Sequence, residues 1–332
     1  MTNFAPKIKK VSNQTQPQMQ VAIALLKEKR FEEAITEFTE ILKQNPNSFP
    51  AQIGIGNAFF KTKRFDEALT HLKQAMRLEP TKAGPHILAG MIYLKQKEIG
   101  QSAKHFQDAL NLDPKSYVSY LGLARVLARQ EKYPEAIQQF KNCLRLNPRF
   151  TKARQGLAQV YSATKKYKEA LNELDSSLRI DPDKAIIHCL KGSVLRGMGD
   201  YNNAVQSFKT GIDLNPKTPP GFRLELVESL IESNGLPEAS DVLREVPYAD
   251  KVAPRIHKLW GDIYHRQGLL KEASEEYRAA TMLCSEAGQD PNAVPELAIL
   301  SVEDEDQWED MVDSFKAAAT GMLAQRAARS SR

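Results

Sequence analysis

Six prolines in this chain stand 34 residues apart: Pro46, Pro80, Pro114, Pro148, Pro182 and Pro216, each preceded by Asn, Asp or Glu. Proline offers no amide hydrogen to a helix and pushes its predecessor out of the α region, so each one is a stop. What lies between two stops is equally regular. In residues 49–82, Ile55, Gly56 and Phe59 form one apolar stripe at helical spacing, and Phe65, Ala68, Leu72 and Ala75 form a second. Residues 61–64 between them are short and polar, which makes a turn between two antiparallel helices. A 34-residue period of this kind is the signature of a helical repeat array.

The sizes of the recurring residues say how the helices meet. The eighth position of each repeat is small (Ala22, Gly56, Gly90, Ala124, Ala158, Gly192), and so is the twentieth (Ala34, Ala68, Ser102, Ala136, Ala170, Ala204). Small residues on both helices allow close approach of the backbones. Phe38, Leu72, Phe106, Phe140, Leu174 and Phe208 at the twenty-fourth position then fill the flanking space. One hairpin cannot bury its apolar face alone, so the repeats must stack.

With these residues in place the chain resembles the tetratricopeptide repeat family over about residues 15–287. The small eighth and twentieth positions, the late proline and the Leu or aromatic at the eleventh position (Leu25, Phe59, Tyr93, Leu127, Tyr161, Leu195) carry the likeness. The tryptophan often found at the fourth position is replaced by Gln18, Gln52, His86, Tyr120, Arg154 and His188. The resemblance implies an all-α fold, a right-handed superhelical α-solenoid of stacked helix-turn-helix repeats.

Along the chain, residues 1–14 read as a fraying segment and residues 15–218 as six repeats in register. Lys217, Thr218, Pro219, Pro220 and Gly221 make a stiff joint before a degenerate seventh repeat (219–252), which is acidic and needs a one-residue shift. The eighth repeat (253–287) recovers the pattern in Leu259, Trp260, Gly261, Tyr264, Ala273 and Tyr277. Residues 288–332 read as a linker and a terminal amphipathic helix over 306–327, with Trp308, Met311, Val312, Phe315, Met322 and Leu323 on one face. The simplest role for that helix is a cap on the eighth repeat, near Tyr277 and Leu283. The alternative is a detachable helix that binds a partner, or the array's own groove, in its own molecule or a second copy.

Composition narrows the function. The 332 residues carry 46 basic and 41 acidic side chains, a net charge of +5, with no concentrated basic tract of the kind nucleic acid favours. Apolar runs such as residues 21–26 are too short to span a bilayer, and no secretory signal core is visible at the start. Three cysteines (Cys143, Cys189, Cys284) share no metal or redox spacing, which points to a reducing, cytoplasmic setting. No catalytic, cofactor or metal constellation stands out. His86 and His188 share a repeat position three repeats apart and cannot meet. His71, His105, His257 and His265 have no Cys or carboxylate at ligand spacing. Gly54, Ile55 and Gly56 imitate part of a nucleotide loop, without the strand such a loop needs.

The resemblance also implies a binding surface. In that family the second, fifth, ninth, twelfth and thirteenth positions of each first helix line a concave groove. Here those positions read apolar in the first three repeats: Met19, Ile23, Leu26, Ile53, Phe60, Ile87, Met91 and Leu94, with Asn57 the polar exception. In the next three they turn polar and basic: Arg125, Arg129, Lys152, Gln155, Gln159, Ser193 and Arg196, among Val118, Leu121, Ile186 and Cys189. A water-facing apolar row is expected to mark an interaction site. The carboxylate clamp of chaperone adaptors is not reproduced. Only Asn57 fits it, and Met19, Ile23, Ile87 and Met91 stand at other clamp positions. The expectation is a non-catalytic scaffold or adaptor for a helical or extended protein segment. The alternatives are an RNA-binding helical repeat, or a regulatory or targeting subunit of an enzyme on another chain.

Overall fold

The structure, a computed structural model, describes residues 15–248 and 253–286, and every regular element among them is an α-helix. Residues 1–14, residues 249–252 and the terminal helix expected over 306–327 lie outside the described residues. The chain divides into two compact bodies between Gln130 and Glu131. The N-terminal body holds α1 (Thr15–Lys27), α2 (Phe31–Gln44), α3 (Phe49–Lys61), α4 (Phe65–Leu78), α5 (Gly84–Lys95), α6 (Ile99–Leu112) and α7 (Tyr117–Arg129). The C-terminal body holds α8 (Tyr133–Leu146), α9 (Thr151–Ala163), α10 (Tyr167–Ile180), α11 (Ala185–Gly197) and α12 (Tyr201–Leu214). It continues with α13 (Pro220–Glu232), α14 (Leu236–Arg244), α15 (Ala253–Arg266) and α16 (Leu270–Glu286).

Each of the six periodic prolines lies two residues beyond the end of a second helix, α2, α4, α6, α8, α10 or α12. The turn inside each hairpin is closed by a left-handed residue. Lys29, Lys63, Lys97, Glu131, Lys165 and Asn234 have φ between 58° and 63°, and Gly199 and Gly268 have 82° and 80°. Around it runs the paired hydrogen bonding of a Schellman end. In the second hairpin Arg64 N donates to Phe59 O at 2.8 Å and Lys63 N to Phe60 O at 3.1 Å. The step from Gly199 to Asn234 is 35 residues, against 34 between the other turns, so the extra residue enters around Pro219–Pro220.

Packing follows the residue sizes. Ser102 Oγ donates to Gly90 O at 2.7 Å, which brings the twentieth and eighth positions into direct contact. The large side chain at position twenty-four also reaches the next hairpin, where a glycine meets it. A Cβ at Gly54, Gly122 or Gly156 would stand 2.5 Å from a ring carbon of Phe38, Phe106 or Phe140 respectively. Where the ring is replaced by Leu72 or Leu174, the matching position of the next repeat is Leu88 or Leu190. Three of the four rings thus meet a glycine of the next hairpin, while the ring centroid of Phe208 lies 6.4 Å from that of Phe222 at the degenerate seventh repeat. Close packing favours such a volume balance. In both bodies consecutive helices pack in sequence order. First helices of successive hairpins also touch one another: α1 with α3, α3 with α5 and α5 with α7, then α9 with α11, α11 with α13 and α13 with α15. The first helices therefore form the more closely spaced layer of each body.

Candidate functional site

In the N-terminal body the anticipated groove residues all stand on the first helices α1, α3, α5 and α7, and the structure corrects their exposure. Ile53, Asn57 and Phe60 on α3, Ile87 on α5 and Leu121 on α7 are buried. Met19, Ile23, Leu26, Met91 and Leu94 are half-buried and pack against the core that contains Ile53, Phe60 and Ile87. The apolar row is thus no water-facing strip. Successive first helices touch, and Ile53, Ile87 and Leu121 at the fifth position and Phe60 at the twelfth are buried where they do. What remains accessible is a shallower surface on Met19, Ile23, Leu26, Met91 and Leu94.

Beside that surface runs a feature the residue-by-residue reading passed over. The thirteenth position of every first helix in this body is basic: Lys27, Lys61, Lys95 and Arg129, the last residues of α1, α3, α5 and α7. Cations at a helix C-terminus favour the partial negative charge there. Arg129 Nη1 donates to Leu94 O at 3.0 Å, so its guanidinium leans back over the end of α5. Arg125, one turn earlier on α7, is half-buried. The recurrence at 34-residue spacing was visible in the sequence; its meaning depended on all four belonging to one body. The first helices of this body thus carry an accessible apolar surface and, at their C-terminal ends, one cationic residue each.

In the C-terminal body Arg196, one cation of the expected basic half, is neutralised. Arg196 on α11 lies 3.5 Å from Glu225 and 3.2 Å from Glu228 on α13, and Arg255 on α15 reaches Glu228 at 2.7 Å. The acidic seventh repeat therefore supplies the counter-charges to Arg196, which is not an open cation for a ligand. Glu225 is buried, and burial raises its carboxyl above the usual range while Arg196 pulls it down. Gln155 on α9 is buried, and Gln159 is half-buried. Cys189 is fully buried; burial, then the nearby Glu225 carboxylate, push its thiol up to about 12, the opposite of an activated thiolate.

A second correction concerns histidines. The fourth position of a first helix faces the twenty-third of its second helix, 19 residues on. His71 Nδ1 meets Gln52 Oε1 at 2.7 Å, Arg154 meets Glu173 at 2.6 Å, and His257 Nδ1 meets Glu276 Oε2 at 2.6 Å. In the third hairpin the same two positions are His86 and His105, with Nδ1 atoms 3.3 Å apart, and His86 Nδ1 is 3.8 Å from Asp108 Oδ2. His105 and His257 thus do have partners, supplied across the hairpin at a spacing no linear motif shows. Burial lowers the pKa of both His86 and His105, and each is countered in part by Asp108. Both rings are therefore neutral at pH 7.

At the far end of the C-terminal body α16 leaves Leu270 and Met282 64% exposed, and they border an open hollow of about 810 Å³ with Ala273, Tyr277 and Thr281. None of the described helices is long and apolar enough to cross a membrane.

Family models described as tetratricopeptide repeat match residues 25–84, 127–193 and 195–263, and a second such model matches residues 87–148. No curated protein matches the sequence. Solved structures give the same fold at low identity. PilW, described as a widely conserved type IV pilus biogenesis factor, aligns with a TM-score of 0.59 and 20% identity, over 66% of this chain and 100% of its own. A chain of the Cut9–Hcn1 hetero-tetramer of the APC/C aligns with a TM-score of 0.58 and 20% identity, over 70% of this chain and 43% of its own. A tetratricopeptide repeat protein from Parabacteroides merdae aligns with a TM-score of 0.56 and 16% identity, over 71% of this chain and 93% of its own.

Proposed function

The chain belongs to the tetratricopeptide repeat family, an all-α repeat solenoid whose members generally bind other proteins or peptides, and from that premise we propose a specific binding mode. The chain is a non-catalytic adaptor that holds an acidic amphipathic segment of another protein on the face of α1, α3, α5 and α7. The observation that carries this reading is the basic row Lys27, Lys61, Lys95 and Arg129 along the accessible apolar surface of Met19, Ile23, Leu26, Met91 and Leu94. A ligand helix with one apolar face and acidic residues at its flank satisfies both at once. The apolar share argues against RNA, whose backbone needs the cations but leaves Met91 and Leu94 without a use. The same reading takes the chain to be cytoplasmic, in keeping with its buried free thiols Cys143 and Cys189.

The chain's own terminal sequence has this chemistry. Trp308, Met311, Val312 and Phe315 are flanked by Glu303, Asp304, Glu305, Asp306, Glu309, Asp310 and Asp313. A cap on α16 would set those acids against a helix that carries Glu272, Glu275 and Glu276 beside Lys271 and Arg278, three acids to two cations. The basic border of the N-terminal body is the better charge match, and on this reading the terminal segment competes for it.

A labelled peptide of residues 301–327, added to the full chain and followed by fluorescence anisotropy, tests the reading. Binding should weaken at least tenfold in Lys61→Glu with Lys95→Glu, and should weaken with salt, since exposed charges are screened beyond about 8 Å at physiological ionic strength. Binding indifferent to that variant, or displaced by an equal amount of unstructured RNA, would refute it.

A further inference from the structure

We propose that His86, His105 and Asp108 form a site for a divalent transition cation, zinc or copper, that clips α5 to α6. Among the described residues these are the three His, Cys or acidic side chains whose ligand atoms all lie within 4.8 Å of one another. The spacing suits a metal. Zinc holds nitrogen and oxygen at about 2.0–2.2 Å, so neighbouring ligands of a tetrahedral ion stand roughly 3.3–3.5 Å apart. The two Nδ1 atoms are 3.3 Å apart and His86 Nδ1 to Asp108 Oδ2 is 3.8 Å, a gap that a small rotation of the partly exposed carboxylate closes.

Comparison with the other hairpins separates this site from ordinary packing. At the same two positions the second, fifth and eighth hairpins pair unlike groups: an amide with an imidazole, a guanidinium with a carboxylate, an imidazole with a carboxylate. Among the described residues only the third hairpin brings two imidazoles together, with centroids 5.3 Å apart and planes tilted by 44°, and adds a carboxylate one turn on. In the other five in-register repeats the residue matching Asp108 is Glu40, Gln74, Asn142, Ser176 or Thr210, and none of these has a histidine pair beside it. The ring of His105 is also held flat against Tyr93, with centroids 5.3 Å apart and planes 15° from parallel, which fixes its direction towards His86. Two neutral imidazoles and one carboxylate match the hard-to-borderline donor set that zinc and copper prefer, and leave a fourth position for water. Such a clip would cross-link the two helices of the hairpin that presents Met91 and Leu94.

The test uses the full chain without a histidine tag. Cobalt(II) titration reads site geometry through its visible absorption, and zinc competition reads affinity. Wild type should bind one cation per chain with micromolar or tighter affinity, give the intense absorption of a four-coordinate cobalt site, and unfold at higher temperature with zinc. The informative variant is His86→Gln, because it recreates the Gln52–His71 pair of the second hairpin and so keeps the fold. It should lose the visible bands and at least tenfold in zinc affinity, with helix content unchanged. Asp108→Asn should weaken zinc while keeping the histidine pair. Equal zinc affinity in wild type and His86→Gln, or no cation bound by wild type below millimolar concentration, overturns the proposal.

Discussion

The pairing of Phe106 with Gly122 allows the stacking of hairpins to be tested by one double-mutant cycle. Phe106 is buried, and a methyl carbon at Gly122 would lie 2.5 Å from its Cδ1 and closer still to two other ring carbons. Gly122→Leu therefore forces the ring or α7 to move by about an ångström, an overpacking cost of roughly 1–3 kcal/mol. The better helix propensity of leucine returns about 0.8 kcal/mol of it. Phe106→Leu alone leaves a small void and should cost about 1 kcal/mol. The two together rebuild the Leu72–Leu88 arrangement that the chain already uses one hairpin earlier. The double variant should therefore sit within about 1 kcal/mol of wild type, with a favourable coupling of roughly 1–3 kcal/mol, the range for residues in contact. Urea melts followed by helical circular dichroism measure all four corners. Additivity within about 0.5 kcal/mol would show that position twenty-four does not read the next repeat, and would refute the packing rule.

Three other expectations are simpler. Lys63→Gly should stabilise the chain by about 0.5–1 kcal/mol, because a side chain at φ 61° carries left-handed strain, and Gly199→Ala should destabilise it by a similar or larger amount; thermal melts distinguish the signs. For Glu225 the raised pKa fixes the sign: the folded chain keeps a proton that the unfolded chain gives up near pH 4.3. Wild type should therefore lose stability relative to Glu225→Gln as pH rises from there through the folded pKa, in melts from pH 4 to 8, and a difference that shrinks with rising pH would contradict the burial argument. Deleting residues 304–332 should tighten binding of the 301–327 peptide severalfold without enlarging the assembly in light scattering; weaker binding or new self-association would restore the capping role.

The hairpins were legible because each repeat encodes its own stop, turn and small contact residues, and Pro80, Ala68 and Gly56 mean the same thing in any context. The positions of the first-helix residues were legible for the same reason. Their exposure was not. Whether Ile53 or Phe60 meets water depends on how closely α1, α3 and α5 approach, a property of the stack rather than of one repeat. Charge matching failed similarly: Arg196 reads as an open cation until Glu225 and Glu228 of a degenerate repeat are placed beside it. The His86–His105 contact joins residues 19 apart, and only the equivalence with Gln52–His71 and Arg154–Glu173 makes that spacing meaningful.

The central claim is that a protein ligand lies on the face of α1, α3, α5 and α7. A photo-crosslinking residue at Met91 or Leu94 on α5 should capture the 301–327 peptide in full-length chain, and one at the exposed Lys104 on α6 should not. Capture at Lys104 with none at Met91 or Leu94 would place the ligand on the second helices and contradict the account.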